Sequence, residues 1–170
     1  MKYKKAEPST QLLTFLKNMT FMNYEFLTKV VINTKSKIIE LWCEEFKCEL
    51  SCEIGVNGFT SFELSVEGDS KTPICETKVR HIDLPISNIN SENEATVSKT
   101  VNPPVNFGPC FICLYIKDLK TDKIRGIGIH GSEDDTDGTL LPTLGCIRMY
   151  NADLFIIKKL FYKNLKVLII

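Results

Sequence analysis

Apolar residues recur at every second position in several short runs of this chain, and that period marks strands. Val30-Val31-Ile32, Lys37-Ile38-Ile39-Glu40-Leu41 and Cys48-Glu49-Leu50-Ser51-Cys52-Glu53-Ile54 are β-branched or alternating, and the polar turn Thr34-Lys35-Ser36 separates the first two. The stretch from Lys29 to Glu53 therefore predicts a β-meander. Gly55 and Gly58 interrupt it, and Phe59 to Val66 follows as a further strand or an ordered loop before a turn at Thr72-Pro73. Phe107 to Ile116 and Ile124 to His130 read as buried strands joined by the charged turn Lys117 to Lys123, with a last strand over Lys166 to Ile170.

Two segments carry helical spacing instead. Leu12, Leu13, Phe15, Leu16 and Met19 line one face of a short helix that Ser9 or Thr10 can cap, and this helix is expected to pack on the sheet. Asn151 can cap a second helix from about Ala152 to Tyr162, with Asp153 in its first turn, Lys158 and Lys159 toward its end, and Asn164 closing it. The segment 86–104 is rich in Asn and Ser and is closed by two prolines, which predicts a surface loop. The sum is a mostly β, two-sheet sandwich with one C-terminal helix and an N-terminal helical extension over residues 1–27.

At 170 residues and 44% hydrophobic composition the chain is long enough for one ordinary domain with its own core. Lysine plus arginine equals aspartate plus glutamate at 21 each, which gives no charge excess to attract nucleic acid or an anionic membrane. Polar Thr14, Lys17 and Asn18 interrupt the apolar residues near the N-terminus, so no run there has the length of a signal peptide. Seven cysteines form an odd set, which in an exported protein leaves at least one free thiol. Cys110-x-x-Cys113 invites zinc, but residues three apart on a strand point to opposite faces, and His81 and His130 are the only histidines. The acidic run Ser132 to Gly138 lacks the ligand spacing of a calcium loop.

The chemistry gathers at Ile129-His130-Gly131 and Leu144-Gly145-Cys146-Ile147-Arg148-Met149. By strand parity His130 faces away from Ile127 and Ile129, so it is expected to be displayed to solvent, and Cys146 shares a face with Arg148 opposite Ile147 and Met149. A thiol near an imidazole and a fixed cation is expected to have a lowered pKa and to act as a nucleophile. Gly145 permits a tight backbone whose amides can converge on an oxyanion.

His130-Gly131, a spacer, then Thr143-Leu144-Gly145-Cys146-Ile147-Arg148 resembles the signature of the L,D-transpeptidase (YkuD-type) catalytic domain: His, a spacer, Ser or Thr, any residue, Gly-Cys, and Arg two residues on. Val30 to Asn33, Lys37 to Trp42 and Cys52 to Gly55 resemble the family's opening strands. Gly68 to Pro73 resembles its Gly-Asp-Gly-Lys-Thr-Pro turn, and Phe107 to Ile112 its Tyr-Gly-Pro-Trp-Phe segment. The resemblance covers about residues 28–170. This chain departs from it at Leu144, where many members carry a second His, at Cys75 in place of Gly, and at Cys110 in place of an aromatic residue.

What the resemblance implies is a peptidoglycan L,D-transpeptidase that needs no metal or cofactor and works outside the cytoplasm. Cys146 would attack a stem tetrapeptide, release its terminal D-residue and pass the acyl group to an acceptor amine, with His130 as base and then acid. Backbone amides of Leu144, Gly145 and Cys146 would form the oxyanion hole, and Arg148 would hold a substrate carboxylate or orient the loop. Gly131 and Thr143 would have positional roles, Asn151 and Asp153 would fix the exit of the loop, and carbapenems would acylate the thiol. Three alternatives stand beside this reading: an L,D-carboxypeptidase or other peptidoglycan amide hydrolase with the same site, a vestigial wall-interacting module, and a thiol oxidoreductase built on Cys110 and Cys113.

Overall fold

The computed structural model describes residues 7–84, 107–132 and 139–170. The segment 86–104 and all of the acidic run after Ser132 lie outside the described residues. The meander forms as its alternation predicts: β1 (Lys29–Asn33), β2 (Ile38–Cys43) and β3 (Phe46–Glu53) pair antiparallel in sequence order. The C-terminal strand β9, Lys166–Ile169, lies parallel to β1. Alternate residues of β2 and β3 are buried, among them Ile39, Leu41, Cys43, Cys48, Leu50 and Cys52, as a sheet packed on one side requires.

The other strands are β4 (Phe59–Ser61), β5 (Thr72–Asp83), β6 (Phe111–Leu114), β7 (Gly128–His130) and β8 (Ile147–Met149). Among the described residues all nine strands belong to one sheet, and all but β4 close into a ring that runs β5-β6-β7-β8-β3-β2-β1-β9 and back to β5. Two strands turn the corners between the layers. β3 pairs with β2 along most of its length and with β8 at Cys52 and Glu53, while β5 pairs with β9 over Cys75 to Lys78 and with β6 from Val79 onward. A register shift between Val79 and His81 bends β5 where it changes partners. The two-sheet, mostly β architecture is thus closed at both corners into a barrel-like sheet.

β5, twelve residues long, has no counterpart among the elements expected from the sequence. Its apolar residues are sparse and its charged ones many, and Pro73 argues against a strand interior. The proline is accommodated because it lies near the start of β5, where the chain pairs with the short parallel β4.

Helix α1, Thr10–Phe21, is capped by Ser9, whose hydroxyl accepts the Leu12 N–H at 3.3 Å. It buries Leu12, Phe15 and Met19 in the same core as the sheet, and each such side chain contributes about 2 kcal/mol of transfer free energy. The C-terminal helix α2, Asn151–Ile157, is shorter than expected, since its last turn tightens to 3-10 over Lys158–Leu160. Asn164 lies beyond it with φ at 72°.

Candidate active site

β7 lies between β6 and β8, and its register sorts the side chains into a core face and a site face. Ile112, Ile129 and Ile147 align across the three strands and are fully buried. On the other face Phe111, His130 and Arg148 form one row. Cys113 pairs with Gly128, and continuing the β7–β8 register one step back sets Cys146 on the far side of that glycine. A Cβ at Gly128 would meet the Phe111 ring and the Ile112 carbonyl at 2.6 Å, so only glycine lets the ring lie so close.

His130 does not reach solvent as expected; it is 3% exposed. The parity holds, because the ring does face away from Ile129, but Phe107 and Phe111 roof that face with ring centroids at 4.6 and 5.8 Å. Nδ1 lies 2.6 Å from the Gly131 carbonyl oxygen. A carbonyl only accepts, so Nδ1 carries the proton and the neutral ring keeps Nε2 as its basic nitrogen. Burial pushes the imidazole down to about 4, opposed by the bond to Gly131 and reinforced by the Arg148 charge.

Cys146 likewise corrects an expectation. Burial pushes its thiol up, and the bond from the Gly128 backbone with the Arg148 and Arg125 charges only partly offsets this, while Cys113 adds to the rise. Both shifts favour the uncharged forms, a thiol and an imidazole. The thiol is oriented toward the Gly126 carbonyl at 3.5 Å.

The loop ahead of β8 is held from both sides. Thr143 donates its N–H to Ile54 at 2.9 Å and accepts the Val56 N–H at 2.8 Å. Its hydroxyl donates to the Cys146 carbonyl at 2.6 Å and accepts the Gly145 N–H at 3.1 Å. The Gly145 N–H is thus engaged within the loop. Gly145 itself has φ at 120°, and a Cβ there would come within 3.0 Å of the Lys71 carbonyl. Leu144 is 82% exposed at the tip of the loop.

Arg148 Nη1 donates to the Leu141 carbonyl at 3.0 Å and to the Pro142 carbonyl at 3.4 Å, in the loop ahead of β8. Asn151 does not cap α2, as its sequence context predicts; Tyr150 stands at the N-cap and Asn151 is the first helical residue. The Asn151 amide instead accepts the Ser132 N–H at 2.9 Å and donates to the Ser132 carbonyl at 2.6 Å, while Gly131 and Gly108 leave room for it. It fixes the chain just after His130. Asp153 is buried and accepts the Ser9 N–H at 2.7 Å, tying α2 to the start of α1.

The contacts of two residues escaped sequence reasoning. Thr72, fully buried, accepts the Gly55 N–H at 2.9 Å and donates to the Gly145 carbonyl at 3.0 Å. Arg125, also buried, donates to Ser65 and to the Val66 carbonyl and lies 3.7 Å from Asp69, so it ties the turn before Thr72 to the segment leading into β7. A Thr-Pro turn and a lone Arg before a glycine carry no local signal of such contacts. All seven cysteines are free, and among the described residues no group of three His, Cys, Asp or Glu side chains is arranged to hold a metal.

No protein-family model matches the chain, and no curated protein matches its sequence. Solved structures do match its fold. The helical cell shape determining protein Pgp2 from Campylobacter jejuni superposes with a TM-score of 0.56 at 21% identity, over 84% of this chain and 47% of that one. An Enterococcus faecium L,D-transpeptidase gives 0.51 at 13% identity, over 85% and 50%. L,D-transpeptidase 3 from Mycobacterium tuberculosis gives 0.51 at 10% identity, over 83% and 60%. This chain spans about half the length of the first of these. At such identities the likeness is one of architecture, and the architecture is that of the L,D-transpeptidases.

Proposed function

We propose that the domain is a cysteine-dependent L,D-transpeptidase that acts on peptidoglycan stem peptides outside the cytoplasm. The observation that carries the reading is the Thr143–Cys146 loop. Its hydroxyl-braced, left-handed glycine presents a thiol on the same strand face as a buried imidazole, one diagonal step away across the β7–β8 pair, in a fold that L,D-transpeptidases have.

Because neither group is charged at rest, the thiol proton passes to His130 Nε2 as sulfur attacks the stem-peptide carbonyl. The amides of Leu144 and Cys146 receive the oxyanion. When the carbon–nitrogen bond breaks, the imidazolium returns its proton to the departing D-amino acid, leaving a thioester. An acceptor amine then attacks the thioester, gives its proton to His130, and the thiol is restored. Gly131 and Asn151 keep the imidazole in place, and Arg148 keeps the loop in place.

Incubation with purified muropeptides, followed by mass spectrometry of the products, tests the reading. A cross-linked or amine-exchanged product supports it. Release of the terminal D-residue without transfer makes the same site an L,D-carboxypeptidase. No reaction by folded protein overturns the catalytic reading in favour of a wall-interacting module.

A further inference from the structure

We propose that Thr72 is a positioning residue for the oxyanion hole, an inference that rests on the function proposed above. A peptide group is planar and trans, so its carbonyl and its N–H point in opposite directions. The carbonyl of Gly145 and the N–H of Cys146 belong to one such group. The Thr72 hydroxyl holds that carbonyl at 3.0 Å, and it is itself held by the Gly55 N–H at 2.9 Å. Fixing the carbonyl on the Thr72 side turns the Cys146 N–H to the opposite side of the loop. The Thr143 hydroxyl does the same for the next peptide, taking the Cys146 carbonyl at 2.6 Å. Both carbonyls that flank the nucleophile are therefore hydroxyl-bound.

The need for such a brace follows from the backbone. Gly145 at φ 120° has no side chain to resist rotation, and glycine populates this region and its alternatives with similar ease. Thr143 alone fixes the peptides on either side of the one that matters, through the Gly145 N–H and the Cys146 carbonyl. Thr72 acts on the Gly145–Cys146 peptide directly, from a fully buried position in which no water competes for the carbonyl.

Two reagents separate this role from a general structural one. A carbapenem acylates Cys146: sulfur bonds to the lactam carbonyl, the ring carbon–nitrogen bond opens, and the thiol proton goes to the ring nitrogen. That step passes through an oxyanion. Iodoacetamide alkylates the same sulfur with loss of iodide and of the thiol proton to water, and no oxyanion forms. Both rates are read at Cys146 by peptide mapping in Thr72→Val, Thr72→Ser and the unchanged protein. Acylation by Thr72→Val is expected to fall on the order of 10- to 100-fold, with alkylation unchanged and Thr72→Ser restoring acylation. If valine prevents folding, as judged by near-ultraviolet dichroism, Thr72→Ala carries the same comparison. Equal acylation in folded Thr72→Val and the unchanged protein overturns the role of Thr72 and leaves the proposed function standing. A parallel fall in both reactions overturns it as well, since that is what mere loosening of the loop would give. Absence of acylation in the unchanged protein, with alkylation intact, sinks the proposed function instead.

Discussion

Cys48 and Cys146 are both thiols beside the central sheet, and both are pushed above the ordinary thiol range by burial. Cys48 lies on β3 and lines a groove of about 560 Å³ between α1 and the meander. Its neighbours are regular strand and helix, no imidazole shares its face, and Asp153 and Glu49 raise it further, to about 11. Cys146 has instead a distorted backbone beside it, a glycine in place of a side chain across from it, and His130 on its face. A cavity with a cysteine is common packing. What separates the two regions is that around Cys146 the backbone is bent and braced, with Gly145 at φ 120°, whereas Cys48 lies within a regular strand.

The sharpest way to break this comparison is to remove each thiol in turn. Cys146→Ala is expected to lower stem-peptide turnover by on the order of 10⁴-fold or more, while Cys48→Ala leaves turnover intact and costs about 1 kcal/mol of stability from the lost sulfur contacts. Turnover and urea midpoints on both variants check this. Retained turnover in Cys146→Ala would rule out the nucleophile.

Next in size is the response to pH. The folded imidazole of His130 lies near 4, below its ordinary 6.5, so the unfolded chain takes up a proton between those values and the folded one does not. Stability from this group is complete above pH 6.5 and is lost as pH falls toward 4, by about 3 kcal/mol. The acid limb of the acylation rate is expected near pH 4 for the same reason. His130→Gln should flatten the stability loss in that window. At the other end, Cys52 and Cys110 lie at about 12 against an ordinary 9.0, so their contribution holds below pH 9 and fades above it. The loss between pH 6.5 and 4 thus belongs to the site and the alkaline loss mainly to the core. An acid profile unchanged by His130→Gln would dissolve that division.

Gly128→Ala probes the close approach itself. The new methyl would press on the Phe111 ring and the Ile112 carbonyl, and overpacking of this kind costs ~1–3 kcal/mol. Because Phe111 stacks on His130, the acid window should shift with it. Gly58, with nothing within 4 Å of the same added atom, has room for it, though its φ of 80° makes the substitution there a test of backbone strain alone. Denaturant midpoints at pH 5 and pH 7 distinguish the two.

The same contrast explains what was legible in the sequence. The meander could be read because Ile39, Leu41, Cys48, Leu50 and Cys52 alternate with exposed or partly exposed residues, and the period states the buried face directly. The site half is sandwiched, so β6 and β7 are buried on both faces and parity no longer reports exposure. That is why the orientation of His130 was predictable and its burial was not: Phe107 and Phe111 come from a different segment. Asn151 looked like a cap because capping is a local pattern, and the partner that claimed its amide, Ser132, is distant in sequence. Thr72 was invisible for the same reason, since its two partners, Gly55 and Gly145, lie on separate loops.

Leu144 offers the smallest effect and the finest test. It is 82% exposed, beside the two amides proposed to receive the oxyanion, and its side chain packs on little that folding buries. Leu144→Ala should therefore leave stability within about 0.5 kcal/mol. An apolar side chain at the mouth of the site can still contact substrate, and its loss removes a contact made equally before and during reaction, which raises KM and leaves kcat unchanged. The acylation rate at saturating carbapenem should stay constant while the concentration giving half that rate rises a few-fold. A fall in the saturating rate would mean that Leu144 shapes the loop from outside as Thr72 and Thr143 do from inside, and that bracing of the site extends to its exposed tip.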